Sequence, residues 1–534
     1  MAEMRFLDPK SGAHPFHWTP PGFSPDIFLI SIDMVPPEAY RPDSPYATVL
    51  RIPHIRSLFR DGVSFINAFA ASPLCGPSRA AYLTGRYPYL TVNEERAHDG
   101  HAVALREEDA IFPEYLKAVG YHTRHVGKGH VGTALFTRAF SENDAPWNRW
   151  APPITDDDSY LAYLRELGLQ PLRWRWEVQG LAPDRYSPGN RYGGWVVQAN
   201  GAPFPAEGTY SHYLAHRAVE TLRAVFLRNG ERRSPIYLQL DFFAPHQPFI
   251  IPTGYEERAA ALREAIKLPE SYWAAQERDF RAAEDEPRIY EVYRRHWGLY
   301  DPQSARDYVL CNFLEMEVLD AAIGVFLDEL KRLGLYDNAM IVFLGDHGEM
   351  NGERGLIDKG VYGHPKVARV PLALKRPGGA QAGMEFAYLV SLLDLAPTLL
   401  AVAGVEPLER MDGKDLGGLL RPPRSQPVLF EAHWHVAPNP AVSLIWQPQP
   451  AQLYMYTYNL ASDVDELYDL ADMSYRNLAR DPKLAEVKGA MIRELGRVLS
   501  SDPRWRCYWH PFRLDKYAYF AGDSTDMQML VPKS

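Results

Sequence analysis

One stretch of the chain, residues 64–90, combines a cysteine with the sequence signals of a helix N-terminus. Cys75 opens a Cys-Gly-Pro-Ser-Arg sequence that ends at Arg79, and Gly85 follows a short helical stretch. Proline near the first helical position and glycine just past the last are typical of a helix. The N–H groups at such a terminus favour an anion, and therefore a thiolate. Taken alone, a cysteine is more commonly a buried apolar side chain.

Four short apolar segments elsewhere each end in polar residues. They are DIFLISID, YHTRHVGKGH, PIYLQLDFFAPHQP and AMIVFLGDHG, with helical periodicity at 105–119, 211–228 and 312–334. Apolar runs of this length predict strands that are buried on both faces, as in a parallel sheet. We therefore predict an α/β fold, with a large mixed, mostly parallel sheet sandwiched by helices. Its functional site is expected at the carboxyl edge of the strands.

The polar residues at these segment ends have the chemistry of a metal and anion site. Taken singly, each carboxylate could be a cap or turn residue, and each histidine a core residue. Taken together beside Cys75, the carboxylates and imidazole predict a site for one divalent cation. The predicted protein ligands are Asp33, Asp346 and His347. Lysine side chains usually lie in solvent, so Lys128 and Lys359 are weak evidence for an anion site unless a motif supports them.

The motif around the cysteine resembles the signature of the type I, formylglycine-dependent sulfatases of the alkaline phosphatase superfamily. The resemblance rests on Cys-x-Pro-Ser-Arg and the Leu-Thr-Gly-Arg that follows it. In that family the cysteine is oxidised after translation to formylglycine (3-oxoalanine), and the hydrated aldehyde is the nucleophile. The resemblance implies that Cys75 is the modified residue and that Arg79 is the cation that holds the site.

The same resemblance assigns roles to the other segment ends. Asp33 matches the first metal aspartate and Asp346-His347 the later metal pair, with residue 75 completing the shell. Three further motifs supply catalytic residues: Gly-Lys-x-His, Pro-His-x-Pro and Asp-Lys-Gly. Their matches in this chain are Lys128 and His130, His246, and Lys359.

The implied reaction is hydrolysis of a sulfate monoester to an alcohol and inorganic sulfate. One hydroxyl of the hydrate attacks sulfur while His246 protonates the departing alcohol. His130 then helps deprotonate the second hydroxyl, and sulfate is expelled as the aldehyde reforms. The metal, the lysines and the arginine supply positive charge to the transferred group. A formylglycine-generating maturation enzyme is an implied partner.

The residue after the first metal aspartate departs from the family pattern. Most sulfatases have a second acid or an amide there, whereas this chain has Met34 after Asp33. A thioether is a poor ligand for hard cations. Calcium is the first expectation for the metal, followed by manganese or magnesium.

Three other functions remain as alternatives. Formylglycine-dependent phosphonate monoester or phosphodiester hydrolases are relatives that typically lack the lysine of Gly-Lys-x-His, so Lys128 favours sulfate. Two-metal phosphatases use a Ser or Thr nucleophile and about six Asp and His ligands, more than this chain offers. A non-catalytic binding protein on the same fold would be expected to have lost some of the catalytic residues. The sequence does not specify which sulfated carbohydrate, alkyl sulfate or aryl sulfate is the substrate.

Two domains are expected, a catalytic domain over 1–420 and a smaller one over 421–534. Insertions at about 145–210 and 249–300 interrupt the first. The earlier insertion is rich in tryptophan, proline and glycine, and we expect it to be too irregular for a sheet element. The later one is charged and partly helical. Their aromatic residues either stack on a sugar or aryl substrate or fix the insertions in place.

The smaller domain is predicted to be an α+β unit. A linker at 421–425 precedes VLFEAHW, AVSLIW, QLYMYTY and ELYDL, and a helix follows at 482–499. Strands in succession and then a helix predict a small antiparallel sheet with one helix on it. The aromatic stretch WRCYWHPFRLDKYAYF either forms a homo-oligomer contact or packs back onto its own domain.

Composition narrows the class of protein further. The formal charge is 57 − 67 = −10, with no long basic block, which argues against a nucleic-acid partner. The first residues lack the apolar core of a signal peptide, and no segment reaches the ~18 apolar residues of a membrane span. Three cysteines, Cys75, Cys311 and Cys507, form no disulfide framework. We therefore expect a cytoplasmic protein with no membrane partner.

Overall fold

The strands of the computed structural model are numbered here in chain order. The model describes residues 24–88, 105, 109–228, 234–406, 410–418, 426–449, 452–462 and 464–520. Its strands are β1 Ile27–Ile32, β2 Val63–Phe69, β3 His122–Lys128, β4 Glu142–Trp147, β5 Leu172–Leu181, β6 Pro188–Gln198, β7 Ile236–Asp241, β8 Phe249–Ile251, β9 Met340–Gly345, β10 Leu372–Lys375, β11 Glu385–Ser391, β12 Val428–Trp434, β13 Pro438–Trp446, β14 Tyr454–Asn459 and β15 Glu466–Asp469.

The helices are numbered in the same way. They are α1 Pro37–Tyr40, α2 Pro53–Asp61, α3 Cys75–Thr84, α4 Phe112–Ala118, α5 Thr133–Ala139, α6 Asp158–Glu166, α7 Tyr210–Arg228, α8 Glu256–Ala265, α9 Glu270–Glu277, α10 Ile289–Trp297, α11 Pro302–Arg332, α12 Pro365–Ala368, α13 Leu395–Val402, α14 Ala485–Ser501 and α15 Arg506–Asp515.

Eight strands form the central sheet, in the order β11-β2-β10-β9-β1-β7-β3-β4. Strand β10 is antiparallel to both of its neighbours, and every other adjacent pair is parallel. All residues of β1, β7 and β9 are buried, so both faces of the sheet are covered. The predicted mixed, mostly parallel sheet between helices is confirmed.

The prediction that the insertion at 145–210 contains no sheet element is wrong. Strands β5 and β6 pair as an antiparallel hairpin, and β8 adds to β6 in parallel to complete a three-stranded sheet. Glycine is what allows this pairing. Gly193 has φ +74°, and a Cβ there would lie 2.3 Å from the backbone nitrogen of Phe249. Glycines that indicated irregularity in the sequence are positions of close backbone approach.

Two predicted helices have different limits in the structure. The helix expected over 105–119 is α4, which begins only at Phe112. Leu105 instead donates its N–H to the carbonyl of Val131 at 3.0 Å. The helix expected over 312–334 is α11, which begins at Pro302, where the carboxylate of Asp301 accepts a hydrogen bond from the N–H of Ser304. A proline at the first position and an aspartate cap account for the earlier start.

The small antiparallel sheet of the C-terminal region is confirmed, with the order β12-β13-β14-β15. Helix α14 packs on it and corresponds to the helix predicted at 482–499. The aromatic stretch packs back onto this unit, which is one of the two arrangements that the sequence left open. Its buried members are Trp505, Tyr508, Trp509, Phe512 and Phe520. The linker at 421–425 lies outside the described residues, as do the first 23 residues of the chain.

Within the described part of the chain, none of the helices has both the length and the apolar character needed to span a bilayer.

Candidate active site

The candidate site lies where four neighbouring strands end at the same edge of the sheet. Strands β9, β1, β7 and β3 are adjacent and parallel, so their carboxyl ends point the same way. Asp346 follows β9 and Asp33 follows β1, while Asp241 and Lys128 are the last residues of β7 and β3. Helix α3 brings Cys75 to this edge as its first residue, and Gly85, with φ +67°, ends that helix as predicted.

Four of the predicted residues form one compact, buried group of potential metal ligands. One ligand atom from each of Asp33, Cys75, Asp346 and His347 lies within 4.8 Å of the others. The Sγ of Cys75 is 3.1 Å from the Nε2 of His347 and 3.6 Å from Oδ1 of Asp33. The Nδ1 of His347 lies 2.9 Å from the carbonyl of Gly348, which can only accept. Nδ1 therefore carries a proton, and Nε2 is the nitrogen that faces the group.

Arg79 binds the carboxylates of this site while wholly buried itself. Its Nε donates to Asp346 at 2.9 Å, and its guanidinium lies 3.4 Å from Asp33 and 3.6 Å from Asp241. The Nζ of Lys128 also donates to Asp33. Three carboxylates thus face two cations, with no exposure of any of these side chains. The excess negative charge, with oxygen and nitrogen donors turned inward, fits a divalent cation.

The pKa values of the two metal-site aspartates move in opposite directions. Burial and the nearby Cys75 oppose ionisation of Asp33, yet Lys128, His246 and Arg79 hold its pKa below the ordinary value. Burial and the charge of Asp33 raise the pKa of Asp346. Two carboxylates so close to each other repel, and a shared cation would relieve that repulsion.

His246 and Lys359 come together from two different loops. The Nδ1 of His246 donates to its neighbouring carbonyl at Gln247, 2.6 Å away, which leaves Nε2 2.5 Å from the Nζ of Lys359. Burial opposes the charge on Lys359, but the adjacent Asp358 carboxylate, 3.2 Å away, raises its pKa. The Gln247 amide donates to the same Asp358. Asp358 therefore links the loop after β7 to the loop after β9.

Met34 and His130 occupy strained backbone positions beside the site. Met34 has φ 58°; its N–H donates to Asp346 at 3.1 Å, and its sulfur lies 3.8 Å from the Nζ of Lys359. His130 has φ 59°, is 1% exposed, and follows Lys128 by two residues. The left-handed conformation is uncommon for residues with a side chain, and it tends to occur at functional sites.

Sequence analysis missed the residues that hold the catalytic ones. The clearest case is Asp241, which accepts from Ser31, from Nε2 of Gln239 at 2.6 Å and from His125 at 2.9 Å. Asp241 ends an apolar strand as Asp33 follows one, so the same signal could have identified it. The contact between Gln247 and Asp358 has no sequence signal, because the two residues are 111 positions apart.

The fold and the buried site define a hydrolase of the alkaline phosphatase superfamily. A model of the sulfatase family matches residues 43–405, and a model of the C-terminal part of N-sulphoglucosamine sulphohydrolase matches residues 352–501. The first match spans well over half of the chain, which therefore belongs to the sulfatase family. Its members are sulfuric ester hydrolases, and this protein hydrolyses a sulfate ester.

Individual relatives agree with this assignment. The choline-sulfatase of Rhizobium meliloti (strain 1021) is 28% identical over 486 residues, which cover 86% of this chain and 83% of that protein. The structure of BT4656, solved in complex with its substrate D-glucosamine-2-N,6-O-disulfate, has a TM-score of 0.64 at 18% identity. The match covers 92% of this chain and 99% of BT4656. The phosphonate monoester hydrolase SpPMH from Silicibacter pomeroyi has a TM-score of 0.65 at 20% identity. The match covers 89% of this chain and 95% of SpPMH. Both structures share the fold.

Loss of a metal ligand should lower metal content and reaction rate together. We expect this for Asp33→Asn, Asp346→Asn and His347→Ala, since each change removes or weakens one of the four candidate metal ligands. Asp241→Asn is the matched control, because it removes a buried carboxylate that contacts Arg79 but lies outside the four-residue group. It should retain the metal.

Elemental analysis of the purified proteins, scaled to protein concentration, provides the measurement. Two tightly bound ions per wild-type chain, or equal metal loss in the Asp241 control, would contradict a single site made by these four residues.

Proposed function

We propose that the protein hydrolyses a sulfate monoester by a covalent route that starts from formylglycine at position 75, with one divalent cation bound beside it. The observation that carries this proposal is the position of Cys75. Its Sγ lies at a helix N-terminus, within 3.6 Å of both a carboxylate and an imidazole, on the edge where the buried charges of the site converge. As formylglycine, residue 75 would supply a hydroxyl to attack sulfur.

The metal would be held by Asp33, Asp346, His347 and residue 75. When bound, it would add positive charge beside the transferred sulfate group. Calcium is our first choice, since it accepts several carboxylate oxygens, and manganese or magnesium comes next. The Met34 sulfur lies beside the Lys359 ammonium and would be a poor partner for any of these hard cations.

The side chains around residue 75 would stabilise charge and transfer protons during the reaction. Arg79 and Lys128 are fixed by carboxylates and would keep the negative charge of the sulfate group in place. His246 would hold a proton on Nε2 for the departing alcohol oxygen, because its Nδ1 donates to a carbonyl. Lys359, next to it, would add positive charge to the transferred group. His130 would accept the proton released as sulfate leaves.

A phosphonate monoester or phosphodiester hydrolase is the competing assignment, since two solved neighbours of similar fold are phosphonate monoester hydrolases. Lys128 is the residue that favours sulfate. Its ammonium contacts Asp33 and reaches the edge of the site from β3, and it is buried. A non-catalytic role is the further alternative, and the intact set of charged residues speaks against it.

We also propose a cytoplasmic location and a formylglycine-generating enzyme as a maturation partner. Both proposals follow from the amino-acid sequence and the family. Contact between copies of the chain, if it involves the C-terminal aromatic stretch, would use the residues that stay exposed there. The large hydrophobic residues among them are Leu514, Tyr517 and Tyr519.

Activity should depend on oxidation of Cys75. Protein that is produced without a maturation enzyme, and the variants Cys75→Ser and Cys75→Ala, should be nearly inactive, since neither a thiol nor a hydroxyl can form the hydrate. Cys507→Ser is the control, because that cysteine is exposed and distant in sequence. Peptide mass spectrometry gives the converted fraction, and 4-nitrophenyl sulfate gives the rate. Full turnover by protein shown to be unconverted at position 75 would disprove the proposal.

Lys128 should discriminate sulfate from phosphonate esters. Losing a charge-assisted contact to the transferred group costs on the order of 2–4 kcal/mol, so Lys128→Ala should lower kcat/KM on a sulfate monoester by ~10²-fold or more. Lys331→Ala is the control, since its side chain is 48% exposed. The ratio of kcat/KM between matched sulfate and phosphonate monoesters is independent of the folded fraction. A wild type that prefers the phosphonate, with a Lys128→Ala variant unchanged on sulfate, would replace our assignment by the phosphonate one.

A further inference from the structure

A tryptophan from the first insertion lies at the leaving-group side of the site. The ring centroid of Trp150 is 5.7 Å from that of His246, with the two planes tilted by 44°. Unlike the buried charges behind it, Trp150 is 46% exposed. His246 is the residue that we place at the departing oxygen. Any carbon group attached to that oxygen must therefore lie next to the indole.

The backbone of this segment is fixed to Lys128, at the end of β3, and to the residues that follow it. The N–H of His130 donates to the carbonyl of Trp147 at 3.3 Å. The N–H of Gly132 donates to the side chain of Asn148 at 3.0 Å, and the Nζ of Lys128 donates to the carbonyl of Trp150 at 3.2 Å. The backbone that carries the indole is thus held in part by Lys128, which we place at the transferred group.

The open indole has the chemistry of a stacking surface. A tryptophan presents a large apolar face that favours the face of another ring. A cationic leaving group would also be attracted to an indole. Here, however, it would lie beside the ammonium groups of Lys128 and Lys359. Those charges disfavour a cation at this place and leave a neutral ring as the better occupant.

Resting on the proposed sulfatase function, we propose that Trp150 determines specificity by stacking on a six-membered ring in the leaving group of the substrate. The ring is either aromatic or the apolar face of a pyranose. Acyclic sulfate esters would lack this contact, and we expect them to be poorer substrates.

The test compares substrates whose alcohols have similar intrinsic reactivity. The ring-bearing probes are 2-phenylethyl sulfate and glucose 6-sulfate, the acyclic probe is ethyl sulfate, and choline sulfate is the cationic probe. We expect Trp150→Ala to lose about tenfold in kcat/KM on at least one ring-bearing probe, mainly through KM, and to change little on ethyl sulfate. Trp150→Phe should recover most of the loss. The probe that responds more distinguishes an aryl from a sugar leaving group.

Trp176→Ala is the matched control, since that tryptophan is 41% exposed on β5. Equal losses on ethyl sulfate and on the ring-bearing probes would overturn the proposal, because they would indicate that Trp150 acts only through the backbone contact to Lys128. Wild-type preference for choline sulfate, lost in Trp150→Ala, would also overturn it in favour of a cation site. Turnover of the sulfate probes by the wild type tests the proposed function separately. If fully converted protein hydrolysed neither these probes nor 4-nitrophenyl sulfate, that result would refute the proposed function rather than the role of Trp150.

Discussion

The buried guanidinium of Arg79 is the charge around which the catalytic edge is organised. It has no exposure to solvent and lies against the carboxylates of Asp33, Asp241 and Asp346. An unpaired arginine in this position would cost several kcal/mol, so the cation and the carboxylates must be buried together. Strand register brings them there. Ser31 of β1 pairs with Asp241 and Ile32 pairs with Gly345, which places Asp33 and Asp346 side by side just beyond the sheet.

This arrangement separates two tasks in space. Residues at the strand ends are fixed by many hydrogen bonds and, in our proposal, bind the part of the substrate that every sulfate ester shares. The loop after β4 is attached to that rigid edge through its backbone, yet it exposes its indole to solvent. A sulfatase can therefore keep its chemistry constant while an insertion determines which alcohol is accepted. Loops positioned by a rigid scaffold are the usual carriers of such variation.

Much of the catalytic edge was predictable from the sequence, because buried parallel strands give apolar runs with a polar residue where each run ends. Asp33 and Asp346 were found in this way, whereas Cys75 and Lys128 were assigned through the sulfatase-like motifs. The hairpin of β5 and β6 was missed because glycines at positions such as Gly193 were interpreted as breaks. Asp358 and Trp150 could not be assigned roles, since their contacts to Gln247 and His246 depend on chain segments far apart in sequence.

The central claim is that one cation and residue 75 share the space between the strand ends. A crystal structure of converted enzyme with bound inorganic sulfate, measured with anomalous scattering from the metal, tests this claim most directly. We expect a single anomalous peak at bonding distance, about 2.3–2.6 Å for calcium, from oxygens of Asp33 and Asp346 and close to Nε2 of His347. We also expect sulfate to contact Arg79 or Lys128. A second strong peak, or a metal elsewhere with this group empty, would contradict the account.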